Sequence, residues 1–148
     1  MNAIEVKAGN VIIGGDAPIV VQTMCNTHTS DVEASVRQCV ELYEAGAQLI
    51  RLTVPSMGQV DSIREIRRQL RERGINTPLV ADVHFSSDIA IACAETVEKV
   101  RINPGNFHKD HEKAKEQFAK LVEVCKANRT AIRIGLNHGS LGDRITNL

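Results

Sequence analysis

Four stretches of this sequence place charged or amide residues at alternate positions among apolar ones. They are Ile50-Arg-Leu-Thr-Val54, Leu79-Val-Ala-Asp-Val-His84, Val100-Arg-Ile-Asn103 and Ile132-Arg-Ile-Gly-Leu-Asn137. In an extended chain, residues i and i+2 share a face. Each stretch therefore has one face that can pack under helices and one that carries Arg51 and Thr53, Asp82 and His84, Arg101 and Asn103, or Arg133 and Asn137. Arg51, Arg101 and Arg133 then converge on one surface, with Asp82 as the only obvious strand-borne anion. A buried charge without a partner costs several kcal/mol even after relaxation, so converging guanidiniums ask for an anionic ligand. Guanidinium geometry matches phosphate oxygens in a bidentate way. The chemistry expected is binding of a phosphate or diphosphate substrate. A single strand arginine more often pairs with a carboxylate elsewhere or reaches solvent. Three on successive strands in the same register favour the ligand.

Asp82 and His84 have two readings. A carboxylate and an imidazole on one face can share a divalent ion. Alternatively, Asp82 orients His84 as an acid, base or substrate donor. The second is favoured, because His138 is the only candidate for a third ligand. The turns Asn103-Pro-Gly-Asn106 and Asn137-His-Gly-Ser140 add donors beside the strand ends, and successive backbone N–H groups in such turns can cradle an anion. Turns of this composition are usually just turns. Cys25 ends the run Ile19-Val-Val-Gln-Thr-Met24 and reads as a small core or loop thiol, while His108 and His111 read as solvated surface residues.

The elements that position these residues repeat one pattern. Strands are expected at 19–24, 49–54, 78–84, 97–102 and 130–136. Helices are expected between them. Ser30 with Glu33 and Ser56 with Gln59 have capping-box spacing, and Gly46 and Gly74 are candidate helix ends. The inward helix residues expected are Val32, Val36, Cys39, Val40 and Tyr43, then Ile63, Ile66 and Leu70, then Ile89, Ala90, Cys93 and Val97. The clearest amphipathic helix carries Ala114, Phe118, Leu121, Val122 and Cys125. A small hairpin over 9–15 caps one end, and residues 137–148 read as loop. Five strands alternating with four helices imply an α/β fold of parallel βα repeats. No G-x-G-x-x-G follows the first strand, so the dinucleotide-fold signal is absent. A flat doubly wound sheet and a (βα)8 barrel remain open. A full barrel typically takes about 250 residues.

The chain has 148 residues, with 18 Lys+Arg balanced by 18 Asp+Glu. A neutral chain with no basic run is a poor nucleic-acid binder. The apolar runs fall far short of the roughly 20 residues a membrane helix needs. Cys25, Cys39, Cys93 and Cys125 are widely spaced, which fits reduced cytoplasmic thiols better than a disulfide framework.

The strings Val21-Gln-Thr-Met-Cys-Asn-Thr27, Ile50-Arg-Leu-Thr-Val-Pro55, Leu79-Val-Ala-Asp-Val-His-Phe85, Val100-Arg-Ile-Asn-Pro-Gly-Asn106 and Ile132-Arg-Ile-Gly-Leu-Asn-His-Gly-Ser140 resemble the N-terminal part of the 4-hydroxy-3-methylbut-2-enyl diphosphate synthase family. The resemblance covers nearly the whole chain. It implies an oxidoreductase of non-mevalonate isoprenoid biosynthesis that reductively opens 2-C-methyl-D-erythritol 2,4-cyclodiphosphate. It implies a TIM-type barrel followed by a domain that holds a [4Fe-4S] cluster through three Cys and one Glu. Ferredoxin or flavodoxin is the implied electron donor, and a homodimer the implied assembly. By the resemblance, Arg51, Arg101 and Arg133 look like substrate-diphosphate arginines, Asn103 and Asn137 like polar substrate contacts, and Asp82 and His84 like catalytic residues. None of the four cysteines matches a cluster ligand. Residues 1–148 are therefore expected to be the first five strands of a truncated barrel, with the iron–sulfur domain absent and no activity alone. Asn-His-Gly-Ser, where shorter members often carry Asn-Ala-Gly-Ser, points to the longer form with an inserted middle domain. His28 stands where shorter members often have Arg and is assigned no role. The competing readings are a barrel of the dihydropteroate synthase type that binds a pterin diphosphate, and a phosphate-binding fragment without chemistry. Two unprotected strand edges lead to the expectation of self-association.

Overall fold

The β-branched runs pair as neighbours in strict chain order. A computed structural model describes residues 3–84 and 86–136. Five parallel strands, β3 (Gln22–Met24), β4 (Leu49–Thr53), β5 (Leu79–Asp82), β6 (Lys99–Ile102) and β7 (Ala131–Ile134), lie side by side in that order. Between them run α1 (Val32–Glu44), α2 (Gly58–Glu72), α3 (Ser87–Ala94) and α4 (His111–Asn128). A doubly wound sheet reverses its strand order at a switch point, whereas a barrel wall never does. The unbroken order decides for the barrel type. The strands are shorter than the runs suggested; β6 starts at Lys99 rather than Val97, so Lys99 is its first residue.

Two clusters separate the faces of the sheet. Ile50, Leu52, Ala81, Val100 and Ile102 pack outward into the main core, with Val60, Ile63, Ile66 and Leu70 of α2 and Leu121 and Cys125 of α4. α2 carries the clean apolar stripe expected of α4, whose Phe118 is 37% exposed and meets the buried Phe107 edge-on. Tyr43, expected inward, is exposed. Ser86 caps α3 as its position implies, accepting from the Ile89 N–H. The two expected capping boxes are not formed. Asp31, not Ser30, caps α1 by accepting from the Ala34 N–H. Met57 precedes α2 without a side-chain cap, and the Gln59 side-chain oxygen is buried without a partner among the described residues. Gly46 and Gly74 follow α1 and α2 with φ of 103° and 77°, the left-handed conformation in which glycine avoids the Cβ penalty.

On the inner face, Leu49, Val80 and Ala131 meet Ala8 and the partly buried Val11, Ile13 and Val20. These last come with a hairpin of β1 (Val6–Ala8) and β2 (Val11–Ile13), so the predicted cap exists but its first strand lies before Gly9. The hairpin closes the N-terminal end of the wall. Beside it, Glu98 accepts from the Leu79 N–H at 2.8 Å and faces Arg67 and Arg71 of α2. The edges of the wall carry exposed apolar residues, Ile19 and Val21 before β3 and Ile134 and Leu136 on the β7 side. No helix among the described residues is long and apolar enough to cross a membrane.

Candidate functional site

Register brings the polar positions together. One row of paired residues runs Met24, Arg51, Val80, Lys99, Ala131. The next row towards the C-terminal mouth runs Thr53, Asp82, Arg101, Arg133. Side chains on neighbouring strands in one row are adjacent, so Arg101 and Arg133 stand directly opposite as like charges, an unfavourable pair unless an anion joins them.

Asp82 is the hub. Its side chain is 1% exposed, and Arg101 donates from Nη1 to Oδ1 at 3.3 Å. Nη2 of Arg51 lies 3.2 Å from Oδ2, and Nε2 of His84 lies 3.3 Å from the same oxygen. The Arg51 contact is an ion pair by distance and the His84 contact a close approach, but neither gives Oδ2 a well-formed hydrogen bond, and the buried Nε of Arg51 has no acceptor among the described residues. Two of the three arginines are thus held by one carboxylate. That is less than the full convergence expected from sequence, because Arg133 is exposed beside them. His84 stands beside Asp82, and no group of three or more metal-ligating side chains occurs among the described residues.

Lys99 was not visible as a site residue in the sequence. It lies two positions before Arg101 on the same face and is buried. Burial, and after it the neighbouring charges of Arg133 and Arg51, hold its amine below the usual lysine range. A strand pattern extended one residue N-terminal of Val100 would have found it. Asn103 is buried, and its side-chain oxygen accepts from the Gly105 N–H at 3.0 Å, which shapes the turn over 104–106. Asn137 and His138 lie outside the described residues. His111 opens α4 on the surface, and His108 accepts from the Asp110 N–H at 3.0 Å.

The cysteines do not fit an iron–sulfur cluster, which takes converging thiolates. Cys93 and Cys125 are single buried thiols, pushed up to about 12 and about 11 by burial. Cys25 and Cys39 are buried with sulfurs 3.6 Å apart. A hydrogen bond from Cys39 favours the Cys25 thiolate and keeps Cys39 protonated. Two other concavities lie away from the cluster. One, of about 480 Å³, is by the hairpin at Glu5, Asn10, Asp16 and Gln48; the other, of about 600 Å³, is on the outer face of α2 at Arg64, Arg67, Arg68 and Arg71.

Residues 3–148 match the family described as the GcpE TIM-barrel domain. The 4-hydroxy-3-methylbut-2-en-1-yl diphosphate synthase (flavodoxin) of Leptospira interrogans serogroup Icterohaemorrhagiae serovar copenhageni is 45% identical over 159 residues, covering 97% of this chain and 24% of that protein. Proteins of the same name from Chlorobaculum tepidum and Parabacteroides distasonis are each 46% identical, covering 95% and 94% of this chain and 21% and 26% of their own lengths. The chain therefore spans about a quarter of the length of the curated relatives it matches.

Proposed function

Because the chain belongs to the GcpE TIM-barrel family, we propose that it forms the substrate-binding mouth of a 4-hydroxy-3-methylbut-2-enyl diphosphate synthase. That enzyme converts 2-C-methyl-D-erythritol 2,4-cyclodiphosphate by reduction in non-mevalonate isoprenoid synthesis. Charge carries the reading. Arg51, Lys99, Arg101 and Arg133 share the inner face with one strand carboxylate, Asp82. A diphosphate supplies the missing negative charge, and its oxygens match the guanidinium forks. Asp82 then acts through Arg51 and Arg101. His84, 39% exposed beside Asp82, would hold or move a proton at a substrate oxygen, and its exposure on the inner face supports that role. Asn103 and Asn137 belong to the same proposal as polar contacts.

The electron donor in this proposal is flavodoxin, the word its relatives' names carry, or ferredoxin. A [4Fe-4S] cluster would be held by residues other than the described cysteines. A cytoplasmic homodimer completes the proposal, and the exposed apolar edges at Val21 and Leu136 support association. The family match favours this reading over the pterin-binding barrel.

Calorimetric titration tests it. The chain is expected to bind the cyclodiphosphate and inorganic diphosphate. Arg101→Met weakens both by about 10- to 100-fold, the loss expected when a hydrogen bond to a charged group is removed. Its stability falls, because the buried Asp82 loses its one well-formed hydrogen bond, but by less than in Asp82→Ala, because Arg51 and His84 stay beside the carboxylate. Lys99→Met is expected to leave the free protein as stable or more so, since a buried cation crowded by arginines is removed, while diphosphate affinity falls. Equal affinity in the wild type and Arg101→Met would end the reading, and preference for a pterin diphosphate would move it to the other barrel class.

A further inference from the structure

The inner face of β7 continues past Arg133 to Gly135, whose N–H donates to the Ile102 carbonyl at 2.9 Å. Residues 131, 133 and 135 share that face by strand alternation. Gly135 has no positive φ, so its backbone does not demand glycine. Space does. A Cβ at this position would stand 2.6 Å from Nη2 and 2.8 Å from Cζ of Arg101, and closer still to Nε. All three nearest atoms belong to that one guanidinium. At Gly46 and Gly74, by contrast, a Cβ would meet nothing within 4 Å, and there the glycine serves backbone conformation.

We propose that Gly135 is a positioning residue for Arg101. The bare Cα is the shelf on which the guanidinium lies while Nη1 reaches Asp82 at 3.3 Å. Arg101 crosses from β6 to the end of β7, over the position next to Arg133. Only a residue without a side chain leaves that path open. The proposal rests on the diphosphate reading for its functional consequence, but not for its geometry. The obstructed group is the far end of a flexible side chain, so an added methyl displaces the guanidinium rather than the backbone. The fold is then kept and the grip on the anion is lost.

Gly135→Ala tests this, with inorganic diphosphate as the calorimetric probe. The expected result is affinity lower by about 10-fold and a melting temperature within a few degrees of wild type. In an Arg101→Met background the same change is expected to cost no further affinity, since coupled residues are not additive. Wild-type affinity in Gly135→Ala, or losses that add in the double variant, would overturn the proposal. A second readout is independent of ligand: the Arg101 Nε–H NMR signal, identified by its disappearance in Arg101→Met. It must shift in Gly135→Ala and stay in place in Gly46→Ala. If the wild type binds no diphosphate, the functional reading fails, and this signal still decides the role of Gly135. If Gly135→Ala does not fold, refolding in the Arg101→Met/Gly135→Ala double variant supports the steric origin. Failure of both variants overturns it.

Discussion

Replacing Asp82 by Ala is expected to lower stability by about 3–5 kcal/mol, the range found when one partner of a buried charge pair is removed. The Asp82 side chain is 1% exposed, while Arg51 and Arg101, at 25% and 13%, are only partly reached by water. With the carboxylate gone, both guanidiniums face Lys99 and Arg133 with no strand anion between them. For a chain of this length, the loss corresponds to a melting temperature lower by about 10 °C or more. Asp82→Asn keeps an acceptor for Arg101 and should lose less. Inorganic diphosphate should raise the melting temperature of Asp82→Ala more than that of the wild type, because the anion fills the vacated electrostatic role. Urea unfolding that places Asp82→Ala within about 0.5 kcal/mol of wild type would show that Asp82 does not hold the arginines.

A second large loss is expected at the opposite end of the wall. Glu98, 13% exposed, takes Arg67 and Arg71 on one oxygen, at 2.8 and 2.9 Å, and the Leu79 N–H on the other. It ties α2 to the starts of β5 and β6, and the Gly9 turn of the hairpin sits against its side chain. Glu98→Ala orphans a buried backbone donor, which by itself costs about 1–3 kcal/mol. The arginine pairs are partly solvated and add less, so about 2–4 kcal/mol in all is expected. Glu98→Gln should recover the part due to the Leu79 N–H. Diphosphate affinity should not change, because in barrels the N-terminal end serves stability and the C-terminal end holds the site. A Glu98→Ala variant that melts like wild type, or that loses diphosphate affinity, would contradict this division.

The site was legible as far as alternation reaches. Arg51, Asp82, His84 and Arg101 stand at positions whose facing is set by local backbone geometry, and the structure brings these four together. Lys99 lies inside the expected strand 97–102, but the alternation is read from Val100 onward, and the inward position two residues before Arg101 falls just outside that window. The capping errors have a similar origin. Ser30 and Asp31 can both accept a backbone N–H, and backbone angles choose between them, with Asp31 at φ −88° and ψ 84°. Asn103, expected as a ligand contact, spends its oxygen on its own turn, a use of the side chain typical of Asn that alternation does not reveal.

By itself the sequence determined the βα repeat, the apolar outer face and the polar, arginine-bearing inner face. All of these follow from periods of two and 3.6 residues that any short window contains. Only the tertiary structure decided which strands are neighbours and in what register. It therefore decided that one carboxylate serves two arginines, that Arg101 and Arg133 stand opposite each other, and that Arg101 rests on Gly135. These are contacts between residues up to tens of positions apart, set by strand pairing and side-chain volume, and no local pattern encodes them.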